Sequence, residues 1–450
     1  MEGAMQAERE AHGSTPRPLP VDTLWVRFVF VDHAGIPKCK AVHRDAFERR
    51  ARAGVGLAKG VLALDPTGAL HPASGLSPVG EVRLVPDLST LTPLPFARAQ
   101  AMVACDMTEP DATTPWDGCP RSALKRVLGR LGDRGYRAVA SYEAEFYVRG
   151  PEGPLDRTPY AGSFALTPAA ELVAELAETL EEIGIPPEQC HAEVGHGNLE
   201  LSVGEVEALA AADRRVVVLE TIRGVAHRMG LEVTMAPKPY LDQAGNGHHL
   251  HLSLYEEVKP VLFDPSGTLS GRGSGFVAGV LDHLPAVMAF TSPSPNSYQR
   301  ISPGMWSSAF AAYGPDNREA AIRLASPVAG AESATANVEI KPVDVTANPY
   351  LALAAVLAAG MDGMDRNLDP GEPTTVDPAT LSDEERADRN IRPLPASLDT
   401  ALNALENDGV LIDALGAPLV RTHLAVGRAQ AEIAREITPE EVAAAAAMIY

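Results

Sequence analysis

The 450-residue sequence is short of cysteine, of positive charge and of long apolar runs. Cys39, Cys105, Cys119 and Cys190 are its only cysteines, and they lie far apart. None forms a CxxC pair, which excludes a zinc knuckle or a dithiol redox motif, and isolated thiols fit a reducing cytoplasm. Lys and Arg number 38 against 59 Asp and Glu, a formal net charge of −21. That balance excludes a general nucleic-acid surface, which needs clustered cations. It also makes single arginines informative, because an anionic ligand would have to be held by local Arg, Lys or metal. Met1 to Pro20 lacks the apolar segment of a secretory signal. The longest apolar run, Tyr350 to Met361, is too short to cross a bilayer, so no membrane partner is expected. There is no P-loop and no usable GxGxxG, so a nucleotide would not be held in the Walker or Rossmann manner.

What is present is ordinary for a globular chain, 45% hydrophobic and 22% charged, and long enough for two domains. Residues 1–20 read as a disordered leader. Residues 21–113 read as a small domain of four or five strands around one helix, with strands near Val26–Val31, Lys38–Val42, Glu81–Val85 and Ala99–Cys105 and a helix near Arg44–Ala53. A Pro-, Asp- and Thr-rich break follows, and residues 114–450 form the larger domain. Its expected helices are Arg121–Leu131 with Gly132 as stop, Pro168–Ile183 with Thr167 as N-cap, and Glu205–Met229. From Phe276 onward the sequence reads as mostly helical, apart from the loop Asn296–Gly304 and a strand at Asn337–Lys341.

The chemistry lies in three strand-like pieces with one pattern. Glu143 and Glu145, His249 and His251, and Glu339 and Lys341 each stand at i, i+2, with apolar residues between or beside them facing the other way. Glu193 and Glu200 flank a Gly turn. If these strands share one sheet, five carboxylates and a histidine face one space. Carboxylates cannot share a buried site without cations, and an oxygen-rich set with one imidazole suits Mg2+ or Mn2+ better than Zn2+. Arg300, Arg318 and Arg323 add positive charge; beside a divalent metal, arginines suggest phosphoryl transfer.

At this point the sequence resembles the glutamine synthetase superfamily, in its branch of γ-glutamyl-amine (polyamine, ethanolamide, anilide) ligases. The resemblance runs from Val21 to the C-terminus. It rests on Val85-Pro86-Asp87, Glu143-Ala144-Glu145-Phe146, His191 to Leu201, Ala236-Pro237-Lys238-Pro239, His248-His249-Leu250-His251-Leu252-Ser253-Leu254, Asn296-Ser297-Tyr298-Gln299-Arg300, Asn317-Arg318 and Ala347-Asn348-Pro349-Tyr350. It implies an α+β protein, a small N-terminal β-grasp domain followed by a large catalytic α/β domain. The expected assembly is a homo-oligomer, a dodecamer of two hexameric rings, in the cytoplasm. By matching position, one metal would take Glu145, Glu193 and Glu200, and a second Glu143, His249 and Glu339. Glu188, His251 and Ser253 match nucleotide contacts. Arg318 and Arg323 match phosphate and acyl-phosphate contacts, so with Glu339 they would carry the chemistry and Arg323 would also touch ATP. Gly245 and Arg300 match contacts to the amino-acid substrate. ATP and Mg2+ (or Mn2+) are the cofactors implied, with glutamate and an amine as small-molecule substrates.

The sequence departs from the ammonia-using members at the two acids that bind ammonium. Ala58 stands at one and Trp306 at the other, in Pro303-Gly304-Met305-Trp306. On the amino-acid side Ala244 replaces an Asn, and Lys341 replaces a substrate-binding Arg, losing its bidentate fork. Three readings follow: a glutamate–amine ligase, a true glutamine synthetase with a displaced ammonium site (restored by an acid such as Asp65 or Glu319), and a catalytically silent relative. The full set of candidate metal ligands argues against the last. A monoamine is favoured as nucleophile, because a long polyamine would want more carboxylates along its path.

Overall fold

The computed structural model describes residues 17–450. Most of the expected leader therefore lies outside the described residues. Its last part, 17–20, has no regular structure but is attached: the Arg17 N–H donates to the Leu88 carbonyl at 3.1 Å, and Leu19 packs on the small domain's core.

The first sheet holds β1 (Trp25–Val31), β2 (Pro37–His43), β3 (Val55–Ala58), β4 (Glu81–Pro86), β5 (Thr92–Pro93) and β6 (Gln100–Thr108). They run in the order β2-β1-β6-β4-β3, with β5 on β6; only β1 and β6 are parallel. Alternation explains the packing. Val26, Phe28 and Phe30 of β1 are buried with Phe47 of the helix Arg44–Ala53, Val82, Leu84 and Val103. This is the β-grasp-like arrangement expected.

The second sheet contains β7 (Tyr136–Gly150), β8 (Gly153–Pro154), β9 (Pro187–Ala192), β10 (Asn198–Val203), β11 (Val206–Glu207), β12 (Glu232–Thr234), β13 (Leu250–Glu256), β14 (Lys259–Pro260), β15 (Phe310–Pro315), β16 (Ala320–Ala325), β17 (Asn337–Ile340) and β18 (Arg392–Pro393). Its path is β18-β15-β16-β17-β13-β7-β10-β9. The strands that carry the paired acids, histidines and Arg323 are thus consecutive neighbours. On β7, Ala144, Phe146 and Val148 are buried and join the core with the helices Pro120–Gly132, Ala208–Arg228, Gly271–Thr291 and Pro349–Arg366. The opposite face of β7 is left to Glu143 and Glu145.

Several boundaries differ from expectation. The helix expected from Pro168 begins at Ala170, because Thr167 already closes the 3-10 turn Ser163–Leu166 in a helical conformation and cannot act as an extended N-cap. The helix expected from Glu205 begins at Ala208, since Val206 and Glu207 pair with Ala140 and Val139 of β7. Gly132 ends inside its helix and Asp133 caps it. His249 precedes β13, although its carbonyl still accepts the Glu143 N–H at 3.2 Å. The largest correction concerns β15 and β16, which fall in the region expected to be helical. Their Ala-rich sequences, FAAYGP and AAIRLA, carry little strand propensity, and pairing decides their state, β16 with β17 and β15 with β16 and β18. The helix Gly271–Thr291 is long and apolar enough to cross a membrane, yet most of it is buried against Pro349–Arg366.

Candidate active site

Register brings the charged residues together. Arg323 on β16 stands opposite Glu339 on β17, and Glu339 opposite His251 on β13. On the other side of β7, Glu145 stands opposite Glu200 of β10, and Glu200 opposite His191 of β9. Gly197, at φ +78°, turns the chain so that Glu193 and Glu200 return to one edge.

The resulting cavity holds about 500 Å³ and is lined by Glu143, Glu145, His191, Glu193, Glu200, His249, His251, Gly245, Arg300, Arg318, Arg323, Lys341, Tyr160 and Trp306, among others. Glu339 lies just beneath, 1% exposed. Its Oε2 accepts from Arg323 Nη1 at 2.6 Å, and its Oε1 lies 3.3 Å from Lys341 Nζ and 3.2 Å from His249 Nδ1. His249 Nδ1 also meets Glu143 Oε2 at 3.1 Å, while His251 Nε2 lies 2.9 Å from Glu143 Oε1 and its Nδ1 2.8 Å from Asn337 Oδ1. Glu145 Oε2 accepts the Gly247 N–H at 2.7 Å. A Cβ at Gly247 would come within 2.4 Å of His249 Nε2 and 2.6 Å of Glu145 Oε1, so the backbone approach needs glycine.

The crowding has electrostatic consequences. Burial first, then Glu143, Glu145, Glu193 and Glu339, push the Glu200 carboxyl up to about 10. Burial likewise raises Glu145, with His249 opposing. Burial would raise Glu143 too, but His251 and His249 beside it hold it well below the usual carboxylate range. Glu339, against the effect of burial, is held down at about 2 by Lys341, His249 and His251. His251 is raised to about 9 against burial, chiefly by Glu143. Glu143 and His251 therefore form an ion pair.

The donors fit a hard divalent cation. Oxygen and imidazole ligands converge, and no thiolate is near: Cys190 on β9 alternates with Gln189 and His191 and so faces away. The tightest groups are Glu143, His251 and Glu339, and His191, Glu193 and Glu200, each with ligand atoms within 4.8 Å of one another. His249 stands with the first group, its Nδ1 3.1 Å from Glu143 Oε2 and 3.2 Å from Glu339 Oε1, and its buried Nε2 has no partner. Glu145 Oε1 lies 3.8 Å from His249 Nδ1.

Arg300 is 5% exposed and donates from Nη2 to the Lys341 and Val343 carbonyls at 3.0 and 3.2 Å. Its Nε and that of Arg323 have no partner. A Cβ at Gly245 would meet Arg300 Cγ at 2.4 Å, so this glycine makes room for the arginine stem. Trp306 is 48% exposed at the mouth, its ring 5.7 Å from Tyr160 and 5.9 Å from the Arg318 guanidinium carbon.

Glu188 and Ser253 do not line this cavity, and neither does Ala58, whose loop in the resemblance completes a neighbouring subunit's site. Ala58 ends the edge strand β3 of the other sheet. Glu188 alternates with Gln189 and His191 on β9 and is exposed on the opposite side. Ser253 is buried and its hydroxyl donates to the Ala336 carbonyl at 3.1 Å. Neither alternative acid is free. Asp65 accepts from Thr67, Ala69 and His71 in its own loop, and Glu319 accepts the Trp306 N–H. Tyr160, Gln189 and His191 were not singled out from the sequence. Gln189, His191 and Glu193 do repeat at i, i+2, which is a readable pattern; Tyr160 arrives from a loop and left none.

Comparison with known proteins adds relatives. The family model for the glutamine synthetase N-terminal domain matches residues 19–120, and that for the glutamine synthetase catalytic domain matches residues 117–444. The chain is 37% identical over 440 residues to the gamma-glutamylpolyamine synthetase GlnA3 of Streptomyces coelicolor, covering 93% of this chain and 92% of that one. It is 33% identical over 425 residues to a glutamine synthetase of Methanocaldococcus jannaschii, covering 90% and 91%. Among solved structures, a novel glutamine synthase homolog superposes with a TM-score of 0.86 at 33% identity, covering 97% of this chain and 100% of that one. GmaS in complex with ADP superposes with a TM-score of 0.82 at 27% identity, covering 97% of each.

Proposed function

The chain belongs to the glutamine synthetase family, and on that premise we propose that it is an ATP-dependent ligase joining glutamate to an organic primary amine through an acyl phosphate. The observation that carries this reading is a single cavity with five glutamates at its base, three arginines on its wall and an aromatic pair at its mouth. Glu143, Glu145, Glu193, Glu200, Glu339 and the histidines would hold Mg2+ or Mn2+. Bound there, a divalent cation supplies charge neutralisation for carboxylates and phosphates.

The chain's own residues would do the rest. The unpartnered Nε atoms of Arg300 and Arg323 suit anionic oxygens: Arg300, beside Gly245, those of the amino acid, and Arg323, with Arg318, those of the transferring phosphoryl group. ATP donates that group to the γ-carboxylate of glutamate and ADP leaves; the structural relative GmaS has itself been solved with ADP. The amine nitrogen then attacks the acyl carbon, phosphate leaves, and the amine gives up a proton. His191 stands at the aromatic corner, its ring 5.8 Å from Tyr160 and its Nε2 3.2 Å from Glu193 Oε1. Closing the mouth keeps the acyl phosphate from water.

Trp306 decides between amines. An ammonium site needs a small anionic pocket. Trp306 and Tyr160 instead offer apolar faces that pack against an alkyl or aromatic body, or hold a cation by about 0.5–2 kcal/mol of cation–π attraction. A monoamine is favoured over a polyamine on this ground, although the relative at 37% identity bears a polyamine name. Steady-state phosphate release with ATP, glutamate and either ammonium or a panel of primary amines tests the proposal. An alkyl, hydroxyalkyl or aromatic monoamine should work best, and Trp306→Glu should gain ammonium activity. Ammonium equal to the best amine refutes the amine reading, a polyamine optimum refutes the monoamine choice, and no release with any substrate refutes the ligase.

A further inference from the structure

Trp306 has a backbone that a bulky residue seldom adopts, with φ +53°. Gly304 before it and Ser308 after it are also left-handed, at +74° and +64°, so Pro303–Ser308 reverses sharply. A half-exposed ring on such a loop has little of its own to hold it.

Two consecutive residues from another segment grip it. The Arg318 guanidinium lies over the ring. Glu319 takes the backbone: its Oε1 accepts the Trp306 N–H at 2.7 Å. Glu319 is 8% exposed and does not line the cavity. Its own turn is fixed to the body of the protein. Asn317 Oδ1 accepts the Glu319 N–H at 3.1 Å, and Asn317 Nδ2 donates to the carbonyls of Thr374 and Val376 at 2.8 and 2.9 Å. The next residue, Ala320, opens β16 and is wholly buried. One carboxylate therefore ties the loop Pro303–Ser308, the flap, to the start of β16 inside the catalytic sheet.

We propose that Glu319 is a positioning residue whose carboxylate holds the flap backbone so that Trp306 stands against Tyr160 over the cavity mouth, and that it thereby sets which amines the enzyme accepts. It acts through Trp306 and does not touch substrate. Nor does it line the cavity where an ammonium-binding acid would stand. A carboxylate can receive the Trp306 N–H on either oxygen. A glutamine in its place keeps one oxygen acceptor for it; an alanine keeps none. The selectivity half of this inference rests on reading Trp306 as the wall of the amine site; the positioning half does not.

The test uses the full-length protein with Glu319→Ala, Glu319→Gln, Trp306→Ala and the double variant Glu319→Ala/Trp306→Ala. At saturating ATP and glutamate, Glu319→Ala should raise the KM for the preferred amine about tenfold, with KM for ATP and glutamate within about twofold of wild type. Glu319→Gln should fall between. In the Trp306→Ala background, losing Glu319 should add less than about twofold, because the two act as one unit. Additive losses, or an equal rise in all three KM values, would overturn the proposal. A second measurement needs no turnover. The tryptophan emission that Trp306→Phe removes should become more accessible to acrylamide in Glu319→Ala, by about twofold in quenching constant, and partly so in Glu319→Gln. Unchanged quenching in both variants would overturn the positioning claim whatever the amine. A wild-type enzyme that prefers ammonium would instead sink the amine reading and leave the quenching result to decide the flap.

Discussion

At the scale of single residues, the carboxylate cluster makes the protein's stability depend on pH and cation. The Glu200 carboxyl titrates near 4.5 in an unfolded chain and at about 10 here. Between those values the folded state holds a proton that the unfolded state has lost, so stability falls as pH rises through that window. His251, raised from 6.5 to about 9, has the same sign: its contribution is complete below 6.5 and is lost as pH passes 9. Glu339, held at about 2, acts only on the acid side, where its stabilisation is lost as pH falls from about 4.5 toward 2. In EDTA the Tm should therefore drop between pH 6.5 and 10, about 1 °C for each kcal/mol lost if the 450-residue chain unfolds cooperatively. Mg2+ or Mn2+ should remove that drop, since a cation does what the protons did. Glu200→Gln should flatten the alkaline fall and shrink the cation response, and Glu200→Ala should abolish ATP turnover. Differential scanning calorimetry in EDTA and in Mg2+ checks the first part; a Tm indifferent to cations at every pH would contradict a shared metal site. The acids themselves were legible because strands present i, i+2 residues together. Tyr160 was not, because a loop residue's neighbours depend on where other loops land.

At the scale of elements, the site stands on a sheet whose other face is backed by closely packed helices. Gly271–Thr291 and Pro349–Arg366 touch through glycines. A Cβ on Gly279 would meet the Ala359 carbonyl oxygen at 2.3 Å, and one on Gly363 would meet the Gly275 carbonyl oxygen at 2.1 Å. Both obstacles are backbone, so the helices themselves would have to separate. Gly279→Ala should cost about 1–3 kcal/mol by overpacking. The amine KM should stay unchanged, because the cavity lies on the opposite face of the sheet. Thermal unfolding beside steady-state kinetics measures both; an unchanged Tm would mean that the helices are not in backbone contact. Strongly periodic elements were read correctly in the sequence, as with Arg44–Ala53 and β17. The Ala-rich β15 and β16 were not, since alanine favours helix and only partners across the sheet outweigh that preference.

At the scale of the whole molecule, the placement of Ala58 is informative. It lies on the edge strand of the small sheet and lines no part of its own chain's cavity. In the resemblance, that loop completes the site of a neighbouring subunit, so an isolated chain would leave its site partly open. We expect a ring-based homo-oligomer, a dodecamer, with activity lost on dilution to monomers. Light scattering coupled to size exclusion, with activity measured across the peak, checks this; an active monomer would overturn it.

The sequence alone determined the chemistry available: which strands carry acids, which carry histidines, and that Trp306 and Ala58 stand where acids are expected. The first two are local facts, set by residue type and the two-residue period of a strand; the last is what the family resemblance implies. Tertiary structure decided which of these groups meet. The register of β9 sent Glu188 outward and brought His191 in, the burial of Ser253 removed it from the cavity, and the turn before β16 put Glu319 on the flap backbone. Contacts between segments far apart in the chain follow from strand pairing and packing, and no local pattern encodes them.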